Sequence, residues 1–230
     1  MKELIKNNVS ISIEGDIYTI QNLPAGDYDE KAIFYDKLMS NILYNMFMWG
    51  NKPVNYTKFA ESSILNSKEG LALDIGCGSL SFTHNVYRNY NDRKLYLSDL
   101  SMQMLKIGKN RIGKTKPNLK YLRANALDFP FKSESIQTIL SFGFIHVVKN
   151  IESLIDEFHR LLKINGDLHI TCLCVDRKIS KKYLNFLKRK GLVAHCLTSN
   201  DIENIIQKKG FETKKQVIGG MAYIDAIKKK

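Results

Sequence analysis

A glycine-rich turn preceded by an acidic residue is the part of the sequence best suited to chemistry. Asp74 closes an apolar run, and Gly76, Cys77 and Gly78 follow it. Because glycine lacks a Cβ and tolerates positive φ, a ligand can approach the backbone of such a turn closely. Dinucleotide-binding turns carry a third glycine next to the pyrophosphate, where this chain has Ser81. A carboxylate beside the turn would repel pyrophosphate and attract an ammonium group, so we expect a ligand that carries an amino acid.

Two further polar residues follow the next apolar runs. Asp99 lies 23 positions after Gly76, at the end of the second predicted strand. An acidic side chain at that separation is placed to accept hydrogen bonds from both hydroxyls of a ribose. Asn125 follows the third predicted strand, and its amide can donate to and accept from an adenine edge. The glycine turn, Asp99 and Asn125 follow three successive predicted strands, and together they predict a ligand that contains adenosine.

One histidine is a candidate for work on a second substrate. His146 lies just beyond the fourth predicted strand, at the carboxyl edge where open α/β sheets bind ligands. Histidine titrates near neutral pH and is the natural base where an acceptor must lose a proton. A surface or packing role is the alternative. We predict a catalytic or acceptor-binding role for His146.

Strands and helices must alternate to bring these residues to one edge. From residue 71 onward, short apolar runs alternate with helical stretches, which is typical of βα units in a mainly parallel sheet. Gly219-Gly220 predicts a tight turn that makes the last strand antiparallel. The sequence therefore predicts an α/β fold with seven strands, at residues 71–75, 94–98, 119–123, 136–142, 167–175, 211–218 and 221–227.

The first 70 residues carry different patterns. Apolar residues alternate over residues 9–20, which predicts a β-hairpin. Residues 29–49 have apolar side chains at helical spacing and are rich in aromatic residues that could close over a ligand and exclude water. We predict an N-terminal hairpin and helical lid in residues 1–70, and a ligand-binding domain in residues 71–230.

Composition and charge exclude several classes. The 230 residues are 44% hydrophobic and 25% charged, which is ordinary for a soluble globular protein and excludes disorder. No apolar run is long enough for a signal peptide or a membrane span, so we expect a cytoplasmic protein without a membrane partner. The four cysteines lack CxxC spacing, and we expect reduced thiols and no metal site. Residues 176–230 carry 14 Lys and Arg against 5 Asp and Glu, which could attract nucleic acid or an anionic membrane surface, or could simply be solvated helix faces.

The sequence resembles the class I S-adenosylmethionine-dependent methyltransferases, in particular the subgroup with the ubiquinone/menaquinone C-methyltransferases and many small-molecule methyltransferases. The resemblance covers about residues 71–175 and implies a Rossmann-like three-layer sandwich with S-adenosylmethionine as cofactor. As a set, the motifs are specific for the cofactor and barely specific for the acceptor. They are residues 73–78, 99–105, 125–131, 135–140 and 144–166.

The resemblance also implies a role for individual residues. Around the methionine part and the ribose of the cofactor it implies Asp74, Gly76, Cys77, Gly78 and Asp99. Around the adenine and the sulfonium it implies Leu100, Met102, Asn125, Ala126, Ser141 and Phe142. Tyr35 matches a Tyr-Asp pair near the start of related enzymes and is expected to contact the cofactor or the acceptor. Leu80 and Asn125 depart from the family pattern, which has a glycine and an acidic residue at these places.

The leading hypothesis is an enzyme, monomeric or homodimeric, that methylates a small molecule on oxygen, nitrogen, sulfur or carbon. An RNA methyltransferase would suit the basic C-terminal region. Against it, the chain has Ser141-Phe-Gly-Phe144 in place of an Asn/Asp-Pro-Pro-Tyr-like motif and lacks a separate RNA-binding module. A non-catalytic nucleotide-binding module also stays open, because a fold does not fix a function. An NAD-dependent oxidoreductase is disfavoured by Asp74 and Ser81.

Overall fold

The computed structural model describes residues 2–7, 9–23, 37–38, 41–89, 93–113 and 116–230. Its strands are Ile11–Glu14 (β1), Ile17–Ile20 (β2), Ala72–Ile75 (β3), Leu95–Asp99 (β4), Leu119–Arg123 (β5), Ile136–Phe142 (β6), Leu162–Leu173 (β7), Phe211–Ile218 (β8) and Met221–Lys228 (β9). Its longer helices are Pro53–Leu65 (α1), His84–Asn89 (α2), Met102–Ile112 (α3), Ile151–Leu161 (α4), Lys178–Arg189 (α5) and Ser199–Lys208 (α6).

All nine of these strands form one sheet, in the order β1-β2-β5-β4-β3-β6-β7-β9-β8. The α/β, mainly parallel fold is therefore confirmed, but the predicted count of seven strands was too low. The two additional strands are the N-terminal hairpin, whose β2 pairs in parallel with β5 through Ile17 and Tyr121. This pairing covers an edge of β5 that would otherwise expose unpaired backbone groups.

The last strand runs against its neighbours, as predicted. β9 lies between β7 and β8 and is antiparallel to both. Gly219 adopts a φ of +63° in the turn from β8 to β9, a conformation that glycine tolerates without strain. In the same turn the Gly220 N–H donates to the Trp49 carbonyl oxygen at 2.7 Å, which fixes an N-terminal segment to the sheet.

Helices cover both faces of the sheet and give three layers. One hydrophobic cluster contains Leu154 and Phe158 of α4 and Ile206 of α6. A second cluster contains Tyr87 of α2 and Leu105 of α3. The helices therefore lie in two groups on opposite faces of the strands, as the Rossmann-like resemblance implies.

An N-terminal helical segment lies over one end of the sheet. Residues 42–49, called segment 42–49 below, form a short α-helical turn followed by a π-helical turn and end at Gly50 with a φ of +61°. Of the rest of the range 29–49 in which we predicted helix, residues 37–38 are helical and Asn41 caps segment 42–49. The other residues, Tyr35 among them, lie outside the described residues. Within the described ranges, no helix has the length and apolar character that crossing a membrane requires. The division of the chain at residue 70 stays a prediction.

Candidate active site

The carboxyl ends of four neighbouring strands meet at one edge of the sheet. From β3 the chain adds β4 and β5 on one side of the sheet, and then returns to add β6 and β7 on the other side. Where the direction of strand addition changes in this way, a crevice opens beyond the carboxyl ends of the strands. The crevice holds two adjoining compartments of about 350 and 130 Å³, and both are lined by Gly76, Gly78, Met104 and Gly143. We call them the larger and the smaller compartment.

The larger compartment contains most of the residues predicted to bind a nucleoside. Its wall includes residues from the ends of β4 and β5, and its volume is in the range of small-molecule pockets. The predicted residues that it brings together are Gly76, Gly78, Asp99, Leu100, Asn125 and Ala126.

Asp99 is fixed by backbone donors on both of its carboxylate oxygens. The Gly78 N–H donates to Oδ2 at 2.8 Å, and the Ser101 N–H donates to Oδ1 at 2.9 Å. The side chain therefore ties the glycine turn to the end of β4. Since each carboxylate oxygen can accept more than one hydrogen bond, Asp99 can still accept hydrogen bonds from the hydroxyls of a ligand.

Asn125 can offer a ligand fewer hydrogen-bonding groups than its residue type suggests. Its Oδ1 already accepts a hydrogen bond from the Leu127 N–H at 3.0 Å. This contact closes a turn of the kind that asparagine favours. The amide nitrogen is therefore the group that Asn125 can best offer to an adenine edge in the larger compartment.

Aromatic and polar residues enclose the smaller compartment. Asp74, Cys77, Phe142 and His146 line it, as do side chains from segment 42–49 and α1. The ring of Tyr56 in α1 stacks on Phe82 with centroids 4.8 Å apart. Among the lining residues that the structure describes there is no lysine or arginine.

Asp74 is a buried carboxyl with one oxygen unsatisfied. Its Oδ2 accepts a hydrogen bond from the Tyr87 hydroxyl at 2.7 Å, whereas its Oδ1 has no partner in the described part of the chain. Burial raises the pKa of Asp74 to about 7, with a smaller contribution from Asp99, against the lowering effect of Tyr87. A cation next to Oδ1 would restore the charged form.

His146 lies in a short 3-10 turn, Ile145–Val147, after β6 and is buried. Its Nδ1 has no hydrogen-bond partner in the described structure. Burial, with a smaller contribution from His195, lowers the pKa of His146 to about 4. The imidazole is therefore neutral at physiological pH and has a lone pair that can accept a hydrogen bond in the smaller compartment.

Cys77 is unsuited to act as a nucleophile. Burial, followed by the nearby carboxylates Asp74 and Asp99, raises the pKa of its thiol well above the ordinary value. Because the thiolate is the reactive form, this thiol stays protonated and inert. Among the described residues no group of three or more His, Cys, Asp or Glu side chains could hold a metal ion.

Two of the predicted residues that the structure describes, Met102 and Ser141, line neither compartment. Met102 packs against a hydrophobic cluster, and Met104 takes its place beside the turn. Ser141 is fully buried, and its hydroxyl donates to the Ile75 carbonyl oxygen at 3.1 Å, which links β6 to β3. Tyr35 lies outside the described residues.

Sequence reasoning missed several residues that line the compartments. Met104 follows the Ser101 cap by three positions, and its four-residue spacing from Gly108 and Ile112 is the helical signal that could have favoured it over Met102. Phe144 lines the larger compartment together with Asp99, and its ring packs directly on Gly76. Trp49 of segment 42–49 contributes to the smaller compartment. Its place depends on tertiary contacts that no local pattern encodes.

Comparisons with known proteins identify the family. A family model described as a methyltransferase domain matches residues 72–166. An uncharacterized protein of Methanocaldococcus jannaschii is 30% identical over 160 residues, which span 67% of this chain and 66% of that protein, about two thirds of its length. A demethylmenaquinone methyltransferase of Chlorobaculum tepidum is 28% identical over 199 residues, 80% of this chain and 78% of the relative.

A solved structure has the same fold. It is that of a methyltransferase of Thermotoga maritima described as a possible histamine N-methyltransferase, with a TM-score of 0.62 and 17% identity over 86% of this chain and 99% of the other. The chain belongs to the class I S-adenosylmethionine-dependent methyltransferases. S-adenosylmethionine is the cofactor of this methyltransferase.

The residues of the methyltransferase fit this cofactor. The unpaired Oδ1 of Asp74 is a buried acceptor that calls for a donor such as the ammonium of the methionine part. A Cβ added to Gly78 would meet no atom within 4 Å, because the backbone there borders open space in both compartments. The larger compartment, which Asp99 lines, would then be left for the adenosine.

Proposed function

We propose that this methyltransferase transfers a methyl group from S-adenosylmethionine to a small-molecule acceptor bound in the smaller compartment, among its aromatic side chains. The observation that carries the proposal is the meeting of the two compartments at Gly76 and Gly78. The larger has polar groups suited to adenosine. The smaller is lined by Asp74, which suits an ammonium, and by aromatic side chains.

The proposed cofactor contacts follow from the groups that border the two compartments. Asp74 accepts a hydrogen bond from the ammonium, and the backbone of Gly76, Cys77 and Gly78 approaches the methionine part. Asp99 accepts from the ribose hydroxyls. The remaining proposed contacts are with the adenine and near the sulfonium, and they come from Leu100, Asn125, Ala126, Met104 and Phe142.

The protein's own contribution to the reaction is mainly positioning and the exclusion of water. The cofactor supplies an activated methyl group, so a dedicated catalytic residue is needed only where the acceptor must lose a proton. With the cofactor bound, its methyl group would pass to an electron pair of the acceptor atom, while the carbon–sulfur electron pair would stay on sulfur. His146, neutral and with an unpaired Nδ1, accepts a hydrogen bond from an O–H or N–H acceptor and receives its proton as the new bond to carbon makes that proton acidic.

The smaller compartment favours a small molecule over RNA. RNA binding depends on phosphate contacts from lysine and arginine, and the described lining of this compartment has neither. The relative named demethylmenaquinone methyltransferase makes a quinol a reasonable first acceptor to test. As expected from the sequence, we also propose a cytoplasmic location and a monomeric or homodimeric state.

The proposal is tested by following S-adenosylhomocysteine production with phenols, quinols, thiols, amines and RNA as acceptors. Turnover with a small molecule, reduced in His146→Gln without loss of S-adenosylhomocysteine binding, is the expected result. Turnover with RNA alone would contradict the proposed acceptor class. Cofactor binding without turnover on any acceptor would favour the non-catalytic alternative.

A further inference from the structure

An apolar surface lies beside the smaller compartment. Segment 42–49 exposes four large apolar side chains to solvent, with exposed fractions of 60% for Ile42, 77% for Leu43, 44% for Met46 and 67% for Phe47. Asn45 and Trp49 of the same segment are buried and line the smaller compartment. Clusters of exposed apolar side chains mark interaction sites more often than ordinary surface does.

Helix α5 packs directly on this segment. The Ser180 hydroxyl donates to the Met48 carbonyl oxygen at 2.9 Å, and Arg177 Nη1 donates to the Phe47 carbonyl oxygen at 2.9 Å. The ring of Tyr183 lies 5.4 Å from that of Trp49, centroid to centroid. The two elements are therefore in direct contact.

The outward face of α5 is basic and partly apolar. Residues 177–190 contain seven Lys and Arg and no Asp or Glu, and residues 41–60 contain no acidic residue either. Ile179, Lys182 and Phe186 recur at helical spacing on the exposed side. Lys190 places its Nζ 5.9 Å from the centroid of the Phe186 ring. A helix with this composition is typical of proteins that bind at membrane surfaces.

We propose that these two elements bind the anionic surface of a lipid bilayer. The docking surface consists of the exposed side chains Ile42, Leu43, Met46, Phe47, Lys178, Ile179, Lys182 and Phe186. Its lysines are attracted to anionic headgroups, and its apolar side chains leave water for the headgroup region. The proposal departs from the sequence-based expectation of no membrane partner.

The side-chain composition favours a bilayer over RNA. Single-stranded RNA is held by cations together with aromatic rings on which bases stack. Ile42, Leu43 and Met46 are aliphatic and offer no such stacking. They gain free energy only by leaving water, which a bilayer permits.

Docking has a consequence for the smaller compartment. Segment 42–49 contributes to both the docking surface and the wall of this compartment. A docked protein therefore holds its acceptor site at the membrane surface. This consequence rests on the proposed function, whereas membrane binding itself does not.

The proposal is tested by co-sedimentation of the full chain with vesicles. The vesicles are made of phosphatidylcholine alone or of phosphatidylcholine mixed with phosphatidylglycerol. We expect binding to the mixed vesicles, with affinity that falls as salt rises, and little binding to phosphatidylcholine alone. Absence of binding to the mixed vesicles would overturn the proposal.

A charge variant tests the contribution of α5. Lys178→Gln with Lys182→Gln should weaken binding to the mixed vesicles about 30-fold at low salt, because each lysine near the surface contributes to the attraction. Lys208→Gln with Lys214→Gln is the matched control: it removes the same charge from exposed lysines outside the docking surface. An equal effect in both variants would show that only net charge matters and would overturn the assigned surface.

An apolar variant tests segment 42–49. Leu43→Ser with Phe47→Ser should lower vesicle affinity at least tenfold, since both side chains are mostly exposed in the free protein and leave water on docking. Binding of S-adenosylhomocysteine should be unchanged in every variant, which separates lost docking from lost folding and from failure of the proposed function. Unchanged vesicle binding, or RNA binding that alone responds to the α5 lysines in a filter assay, would overturn the proposal.

Discussion

At the scale of single residues, the two carboxylates beside the glycine turn differ in what surrounds them. Asp99 accepts hydrogen bonds from the N–H groups of Gly78 and Ser101, so the backbone fixes its position. Asp74 is buried, accepts one hydroxyl from Tyr87 and keeps one oxygen unpaired. Asp99 thus organises the turn in the free protein, whereas Asp74 lacks a partner that a bound ligand can supply.

The raised pKa of Asp74 predicts that cofactor binding depends on pH. With a pKa of about 7 in the free protein, Asp74 binds a proton below pH 7, and an incoming ammonium requires the charged carboxylate. The affinity for S-adenosylhomocysteine should therefore decrease below pH 7, by up to about tenfold for each pH unit. Calorimetry from pH 5.5 to 8 measures this dependence. The variant Asp74→Asn should bind more weakly at pH 8 and without this pH dependence, and a wild-type affinity constant over the range would contradict the assignment.

Loss of the Asp99 carboxylate should weaken cofactor binding. Asp99→Ala would remove the charged hydrogen bonds that we propose to the ribose, at a cost of about 1.5–3 kcal/mol, and would leave the Gly78 N–H without its acceptor. Calorimetry with S-adenosylhomocysteine measures the effect. Wild-type affinity in this variant would show that the ribose is bound elsewhere.

At the scale of elements, the turn after β3 keeps a glycine-like shape where the family pattern has a third glycine. Leu80 adopts a φ of +58°, a conformation that costs a non-glycine residue about 1–2 kcal/mol. Its side chain is buried and lies so close to α3 that a Cβ on Gly108 would come within 3.0 Å of its Cγ. Burial of a leucine contributes about 1.5–3 kcal/mol, which is enough to offset the strain.

The contact between Gly76 and Phe144 predicts a paired substitution effect. Gly76→Ala should destabilise the fold and abolish cofactor binding, because the new Cβ would collide with the Phe144 ring and Gly76 has a φ of +71°. The double variant Gly76→Ala with Phe144→Ala should recover part of the lost free energy of unfolding, which urea unfolding measures. Gly113→Ala, at a φ of +81° but in open space, controls for backbone strain alone. Equal losses in Gly76→Ala and Gly113→Ala would rule out the collision.

At the scale of the whole molecule, the N-terminal hairpin is part of the central sheet. Ile17 of β2 is 1% exposed and pairs in register with Tyr121 of β5. Contacts of this kind join segments that are distant in the chain. They make the first residues contribute to the stability of the fold that holds the site.

The integration of the hairpin predicts a stability effect at a single position. Ile17→Ala should lower the free energy of unfolding by about 2–5 kcal/mol, as expected for a buried isoleucine that leaves a cavity. Ile13→Ala, in the same hairpin at 66% exposure, should change it by no more than about 0.5 kcal/mol. Urea unfolding of the three proteins gives the comparison. A wild-type free energy of unfolding in Ile17→Ala would show that the hairpin is not integral to the sheet.

The sequence by itself determined the order of strands and helices from residue 71 onward. It also indicated the protein family and, with it, the cofactor. These depend on local signals, such as apolar periodicity, the glycine turn and the Asp99 that ends β4, and such signals act within a few residues of the chain. The antiparallel last strand followed from Gly219-Gly220 for the same reason.

Only the tertiary structure decided which side chains surround the two compartments. The Ser141 hydroxyl donates a hydrogen bond to the Ile75 carbonyl oxygen and does not line a compartment. Met104 rather than Met102 borders the turn, and Trp49 of segment 42–49 lines the smaller compartment. The pairing of β2 with β5, which raised the strand count from seven to nine, is of the same kind. Long-range packing is selected by shape and burial over the whole molecule, and no window of sequence contains that information.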